Sequence, residues 1–128
     1  MYKLEKGVQN VLLVEDNTLT MLLLEAELQK HGFKIRKAPD GEAGWKVCQE
    51  QHFDLLIIDL LMPVMDGQEL MQKIMRELPT PQGPVYATSA GLSKKEIEQL
   101  SRLGFAGYLQ KPVKVVKKEG QLYLAGQE

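Results

Sequence analysis

The sequence has a single cysteine, Cys48, so it cannot form an internal disulfide. It also lacks an apolar run long enough to span a membrane, and its first residues lack the apolar core of a signal peptide. Its 16 basic and 17 acidic residues are well mixed and give a formal net charge of -1. These absences argue against a disulfide-stabilised secreted domain and against direct binding of nucleic acid or an anionic membrane, and they predict a cytoplasmic protein.

The 128 residues, 44% of them hydrophobic, predict one domain built from alternating strands and helices. Short apolar runs predict five strands, near residues 11–14, 33–36, 55–58, 85–88 and 106–109. Between these runs, Asp40, Asp66 and Ser93 stand where they would cap helices. The alternation predicts an α/β fold with a doubly wound, five-stranded parallel sheet of strand order 2-1-3-4-5, as in flavodoxin-like proteins.

Carboxylates stand at the carboxyl ends of two predicted strands. Glu15 and Asp16 follow the first strand, and Asp59 ends the third. In this strand order the two ends flank the switch point, where doubly wound folds bind ligands. Because like charges repel, we expect a cation to hold the three carboxylates together. Taken alone, each acid also fits a helix cap or a charge that complements a helix dipole.

Four segments, taken together, resemble the receiver domain of bacterial response regulators. They are Val14-Glu15-Asp16-Asn17, Asp59 with Met62-Pro63-Val64-Met65-Asp66-Gly67, Ala87-Thr88-Ser89-Ala90, and Tyr108-Leu109-Gln110-Lys111-Pro112. Their order and spacing match the family from about Asn10 to Pro112. We therefore divide the chain into an N-terminal lead at 1–9, a receiver core at 10–112 and an atypical C-terminal segment at 113–128.

The resemblance implies a phospho-accepting domain of two-component signalling that is not an enzyme acting on a separate substrate. Asp59 would accept a phosphoryl group from the phosphohistidine of a histidine kinase or a histidine phosphotransfer protein. Glu15, Asp16, Asp59 and the backbone carbonyl of Leu61 would hold Mg²⁺ or Mn²⁺. The acidic pair is Glu15-Asp16 instead of two aspartates. This keeps the charge and makes one of the two side chains longer.

The resemblance also implies roles for residues at the ends of the last two strands. Lys111 would stabilise the phosphoryl oxygens electrostatically, and Ser89 would donate a hydrogen bond to one of them. Thr88 is the competing hydroxyl, because neighbouring strand residues point to opposite faces. Tyr108 would rotate as Ser89 moves, and a downstream effector or output domain would read this switch.

The chain departs from the receiver pattern after Pro112. Residues 113–120 are rich in β-branched side chains and end in glycine, which predicts that the fifth helix is atypical or short. Residues 121–126 favour a strand or a docked tail, and the altered surface would be free for a partner or a homodimer. The alternative function is a pseudo-receiver, an interaction module that is never phosphorylated. A flavin nucleotide site is disfavoured because Glu15 and Asp16 would repel its phosphate.

Overall fold

Strands and helices alternate through most of the chain in a computed structural model that describes residues 1–127. Glu128, the last residue of the atypical C-terminal segment, lies outside the described residues. The elements are β1 (Tyr2–Lys3), β2 (Asn10–Val14), α1 (Thr18–Gln29), β3 (Lys34–Ala38), α2 (Gly41–Glu50), β4 (Leu55–Asp59), α3 (Gly67–Glu77), β5 (Val85–Ser89), α4 (Lys94–Arg102), β6 (Gly107–Gln110), β7 (Lys114–Lys118) and β8 (Gln121–Ala125).

The main sheet has five parallel strands in the order β3-β2-β4-β5-β6. Counted among these five strands alone, this is the predicted order 2-1-3-4-5, and the fold prediction is confirmed. β3 ends two residues later than the apolar pattern predicts. It is an edge strand with mostly exposed side chains, so its apolar pattern marks its ends poorly.

Side-chain caps set the starts of the four helices. The side chain of Asn17 accepts a hydrogen bond from the backbone of Thr20 at the start of α1, and Asp40 caps α2 in the same way. Asp66 and Ser93 each form a capping box with the glutamate three residues later. The predicted capping roles of Asp40, Asp66 and Ser93 are thus confirmed.

The main sheet has an apolar layer on each face. On one face, strand residues such as Leu12 and Leu56 pack with Leu70 of α3, in a layer that also includes α2 and α4. On the other face, Leu13 and Ile57 pack beneath α1 and the C-terminal strands. Both faces are covered, which explains why β4 and β5 are buried along their whole length.

The segment after Pro112 forms a β-hairpin, and no helix occurs between residues 113 and 127. β7 and β8 pair antiparallel, and β1 joins them in a three-stranded sheet of order β1-β8-β7. Side chains alternate along the hairpin, so that Val115, Leu122 and Leu124 face the apolar layer under α1. The β-branched run that argued against a full fifth helix therefore forms strand β7.

The N-terminal strand is anchored on the main sheet through Tyr2. Its ring lies against the ring of Tyr86, with centroids 4.8 Å apart, and its hydroxyl accepts a hydrogen bond from the backbone N–H of Tyr108 at 3.1 Å. Gly107 permits this approach, because a Cβ at that position would overlap the Tyr2 ring. The two ends of the chain thus form one small sheet that contacts β5 and β6.

Candidate functional site

Three carboxylates converge at the carboxyl end of the main sheet. Glu15 and Asp16 follow β2, Asp59 ends the neighbouring β4, and oxygen atoms of the three lie within 4.8 Å of one another. Glu15 and Asp59 are only 8% and 3% exposed, whereas Asp16 is open to solvent. The parallel pairing of β2 with β4 brings the acids together, as the sequence predicts.

Lys111 supplies a cation to this cluster from the end of β6. Its Nζ lies 2.6 Å from Glu15 Oε1 and 3.2 Å from Asp59 Oδ2. The peptide bond between Lys111 and Pro112 is cis, and the backbone N–H of Lys111 donates to the carbonyl of Ser89 at 2.9 Å. Burial lowers the pKa of Lys111, but the hydrogen bond and charge of Glu15 and the charge of Asp59 outweigh it, so the pKa is raised. Lys111 is therefore positively charged at neutral pH.

Backbone amides orient the two buried acids. The N–H of Leu61 donates to Asp59 Oδ1 at 3.2 Å, and the N–H of Asn17 donates to Glu15 Oε2 at 3.1 Å. The first residue of α3, Gly67, comes so close to the backbone of Asp59 that a Cβ there would overlap the Asp59 carbonyl. These contacts fix the carboxylate of Asp59 at the edge of the sheet.

The cluster fits a hard divalent cation. Three carboxylates and one ammonium group carry a net charge of about -2. Oxygen ligands around a local excess of negative charge are what Mg²⁺ and Mn²⁺ prefer, and Asp16 keeps one side of the cluster open to water. The backbone carbonyl of Leu61 remains a predicted ligand.

Ser89 and Thr88 stand at the end of β5 and are both buried. Thr88 pairs opposite Asp59 in the strand register and lines a cavity beside α1. The hydroxyl of Ser89 makes local contacts with Gly91, accepting from its N–H at 3.2 Å and lying 3.4 Å from its carbonyl. Ser89 follows Thr88 as the last residue of β5, and its assignment as the phosphoryl-binding hydroxyl stays a prediction.

Tyr108, the predicted switch aromatic, connects Ser89 to the N-terminal strand. Its hydroxyl donates to the backbone carbonyl of Ser89 at 3.4 Å, and its own N–H bonds to Tyr2. The ring is partly buried and packs against the apolar layer of α2, α3 and α4. The contact with Tyr2 could not be found from the sequence, because 106 residues separate the two partners and β1 is too short to show a pattern.

The loop after Asp59 contains an unusual turn that the sequence did not predict. Val64 has a φ of 70°, and the N–H of Met65 donates to the carbonyl of Pro63 at 2.8 Å, which closes a strained γ-turn around Val64. A β-branched residue rarely adopts this conformation, so no sequence signal marks it. Leu61 and Val64 are 73% and 80% exposed, which leaves two large apolar side chains in the loop beside the carboxylates.

The two histidines and the cysteine of the chain lie outside the carboxylate cluster. His31 and His52 come just after α1 and α2, and the Nδ1 of His52 lies 3.9 Å from Asp54 Oδ1 at the opposite end of β4. Cys48 is buried in α2, and this burial raises the pKa of its thiol to about 11. A protonated, enclosed thiol is a poor nucleophile and metal ligand, so Cys48 contributes to packing.

Within residues 1–127, none of the helices is both long enough and apolar enough to span a lipid bilayer.

Comparison with known proteins gives a consistent result. The family model described as the response regulator receiver domain matches residues 11–119. A probable transcriptional regulator of Porphyra purpurea is 33% identical over 104 residues, which are 80% of this chain and 49% of that protein. A peroxide stress-activated histidine kinase of Schizosaccharomyces pombe is 32% identical over 118 residues, which are 88% of this chain and 7% of the kinase.

A solved structure supports the same relationship. The receiver domain of a sensor histidine kinase from Pseudomonas aeruginosa, solved with a magnesium ion coordinated in its active site cleft, is 29% identical to this chain with a TM-score of 0.74. The match covers 84% of this chain and 88% of that domain. The chain thus spans nearly all of an isolated domain but about half or less of the two curated relatives.

Proposed function

Because the chain belongs to the response regulator receiver family, which consists of signalling domains, we propose that Asp59 accepts a phosphoryl group in a phosphorelay. The observation that carries this proposal is the position of Lys111, whose ammonium group contacts both Asp59 and Glu15 at the centre of the acidic cluster. An isolated acidic cluster would repel a phosphoryl donor. A fixed cation next to the attacking oxygen reduces that repulsion.

In the proposed reaction, a carboxylate oxygen of Asp59 attacks the phosphorus atom of a phosphohistidine. The new O–P bond forms while the P–N bond breaks, and the bonding electrons return to the imidazole nitrogen of the donor. The amide of Leu61 holds Asp59 Oδ1, so the attacking carboxylate is oriented before the donor arrives. Lys111 then shifts from pairing with a carboxylate to pairing with the phosphoryl oxygens.

The site residues fit Mg²⁺ or Mn²⁺, which Glu15, Asp16, Asp59 and the carbonyl of Leu61 would hold. When bound, such an ion supplies positive charge that stabilises the phosphoryl oxygens. Glu15 is kept in place by the amide of Asn17, so its second oxygen remains directed at Lys111.

A switch would follow from the contacts of Ser89. A phosphoryl group on Asp59 would attract the Ser89 hydroxyl, which now interacts with Gly91. Movement of the Ser89 backbone would break its hydrogen bond from the Tyr108 hydroxyl and release the ring to a second position. A downstream effector or output domain that prefers one position of Tyr108 would read the phosphorylation state.

The phosphodonor would be a histidine kinase or a histidine phosphotransfer protein, and α1 offers a surface for it. Leu19, Leu22 and Leu23 are 66%, 48% and 64% exposed on this helix, which begins two residues after Asp16. Leu61 and Val64 add two exposed apolar side chains in the loop after Asp59. Such a surface would bury apolar area around a phosphohistidine while its phosphoryl group reaches Asp59.

The test is phosphorylation by a small donor. The purified chain is incubated with acetyl phosphate and Mg²⁺, and its intact mass is measured. We expect a metal-dependent gain of one phosphoryl group, and we expect Asp59→Asn to lose this gain. Asp54→Asn is the matched control, because Asp54 precedes the other end of the same strand and should leave the gain unchanged.

A folded native chain that gains no mass, under conditions that modify another receiver, would overturn the phospho-acceptor proposal. The pseudo-receiver alternative would then stand, and the search would turn to partners that bind the unmodified chain. Retention of the phosphoryl group in Asp59→Asn would instead show that a different residue accepts it.

A further inference from the structure

A cavity of about 310 Å³ lies between α1 and the start of the C-terminal hairpin. Apolar side chains make up most of its wall, including those of Leu13, Met21, Leu24, Ile57 and Val113. Leu23 stands at its outer side and is 64% exposed, so the cavity opens to solvent along α1. Its volume reaches the lower end of the range found for small-molecule sites.

The cavity follows from the replacement of a helix by a hairpin. After Pro112 the chain turns into β7, and Pro112 and Val113 form one wall while α1 forms the other. The strands of the hairpin pack on the sheet face through Val115 and Leu122, which lie in the same apolar layer. A thin strand leaves more space against α1 than a full helix with its side chains would occupy.

One end of the cavity is polar. Thr88, only 3% exposed, contributes its hydroxyl-bearing side chain to the wall. Glu15 and Lys111 line the same cavity. Lys111 has three N–H donors, and its contacts with Glu15 and Asp59 leave one of them for another acceptor.

The local charge restricts the head group of an occupant. Without a bound divalent cation, the cluster of Glu15, Asp16, Asp59 and Lys111 is net negative, so a carboxylate or phosphate head would be repelled. An ammonium head would have to lose its hydration in an apolar cavity and compete with Lys111 for Glu15. An uncharged hydroxyl or carbonyl avoids both penalties, because it can bond to Thr88 and to the third proton of Lys111.

From this geometry we propose that the cavity is a binding site for a small uncharged amphiphile, with an apolar body and one hydroxyl or carbonyl head group. The apolar body lies among Leu13, Met21, Leu24, Ile57 and Val113, and the head group lies at Thr88. The site is independent of the proposed function, since its occupation requires no phosphoryl transfer.

Benzyl alcohol and toluene are suitable probes, because they share an apolar ring and differ in the hydroxyl group. Each is titrated into the labelled native chain without a phosphodonor, and amide and methyl chemical shifts are followed by NMR. We expect saturable shifts centred on Ile57, Thr88 and Val113, with benzyl alcohol binding about fivefold more tightly than toluene because of one added hydrogen bond. Shifts that do not saturate, or that centre elsewhere, would overturn the proposal.

Two variants separate the cavity from general surface binding. Thr88→Val keeps the shape but removes the hydroxyl, so the advantage of benzyl alcohol over toluene should disappear. Val113→Phe should fill the cavity and abolish binding of both probes. Val116→Phe is the matched control. Val113 and Val115 both pack against the apolar layer beneath α1, whereas Val116 lies on the opposite face of β7.

The NMR spectrum of each variant also reports whether it folds. If Val113→Phe is not folded, the Thr88→Val variant still tests the proposal. If Thr88→Val prefers benzyl alcohol over toluene as strongly as the native chain does, the head group does not bind at Thr88. Binding to Val113→Phe with native affinity, in a folded chain, would place the probes outside the cavity and would also overturn the proposal.

Discussion

At the scale of single residues, Asp54 ties two strands of the sheet together. The backbone N–H groups of Gln9 and Asn10, at the start of β2, donate to its Oδ2 at 3.0 and 2.9 Å. The amides of Asn10 and Gln9 lower the pKa of the Asp54 carboxyl, because hydrogen bonds to the charged form favour ionisation. Asp54 therefore stabilises the fold in its ionised form.

We predict that Asp54→Asn lowers the free energy of unfolding at neutral pH by about 1 kcal/mol, because the hydrogen bonds lose their charge assistance while the side chain stays partly solvated. The folded pKa lies below the unfolded value of about 3.9. The contribution of the ionised group is thus full above about pH 4 and is lost as the pH falls through the folded pKa. Urea unfolding of both chains between pH 6 and pH 3 measures this difference.

The control for this prediction is Glu77→Gln, which removes an exposed charge paired with Lys73 one helical turn away. Such a pair contributes about 0.3 to 0.5 kcal/mol, so the control should change stability little. A difference between the native chain and Asp54→Asn that persists unchanged at pH 3 would contradict the charge-based explanation.

The convergence of the acids at the strand ends could be predicted from the sequence. The faces to which the neighbouring hydroxyl side chains point could not. Glu15, Asp16 and Asp59 converge because parallel strands end at one edge, and this requires only the strand order. The two hydroxyls of Thr88 and Ser89 differ by one residue, and a one-residue difference in register exchanges the faces of the sheet. Sequence alone could not show that Thr88 lines a cavity.

At the scale of secondary-structure elements, the C-terminal hairpin takes the place expected for a helix. Leu124 on β8 is fully buried in the layer beneath α1, and the neighbouring Tyr123 pairs with Val116 and Lys3 on the other face of the small sheet. The hairpin is therefore part of the apolar core and covers one face of the main sheet.

We predict that Leu124→Ala lowers the free energy of unfolding by about 2 to 5 kcal/mol, because it removes a fully buried side chain and leaves a cavity. Tyr123→Ala, on the other face of the same strand, should cost about 1 kcal/mol or less through its cross-strand contacts. Equilibrium urea unfolding compares the two variants with the native chain. Equal, small losses for both would mean that the hairpin does not contribute to the core.

The parallel sheet could be predicted because its central strands β2, β4 and β5 carry continuous apolar runs, whereas the edge strand β3 gives a weaker pattern. The hairpin was foreseen only as a strand or docked tail, since β7 (Lys114–Lys118) does not alternate apolar and polar residues and no strong turn motif follows it. β1 has two residues, Tyr2–Lys3, and its pairing with β8 joins the opposite ends of the chain. A contact of this kind leaves no periodic signal in the sequence.

At the scale of the whole molecule, the charged cluster and the C-terminal hairpin meet at one edge of the main sheet. The three carboxylates lie at the carboxyl ends of β2 and β4. Lys111 contacts them from the end of β6, directly before the hairpin of β7 and β8. Lys111 thus belongs both to the acidic cluster and to the segment that covers the sheet. A change in the charge of the cluster should therefore be measurable as a change in global stability.

The Lys111→Met variant tests this coupling, with methionine keeping much of the aliphatic length. Without divalent cations, the loss of two ion pairs leaves three neighbouring carboxylates without a fixed cation, and we expect the free energy of unfolding to fall by about 1 to 3 kcal/mol. The same change removes the group that competes with a metal ion, so Mg²⁺ should bind the variant more tightly. Each tenfold gain in affinity adds about 1.4 kcal/mol of stabilisation at saturating Mg²⁺.

Thermal or urea unfolding with and without Mg²⁺ measures both effects in one series. Lys114→Met serves as the control, because Lys114 is exposed on β7 and carries the same charge. We expect Mg²⁺ to stabilise Lys111→Met more than it stabilises either the native chain or Lys114→Met. If Mg²⁺ stabilises all three chains equally, Lys111 and the metal ion do not share the carboxylates, and the cluster of Glu15, Asp16 and Asp59 is not the metal site.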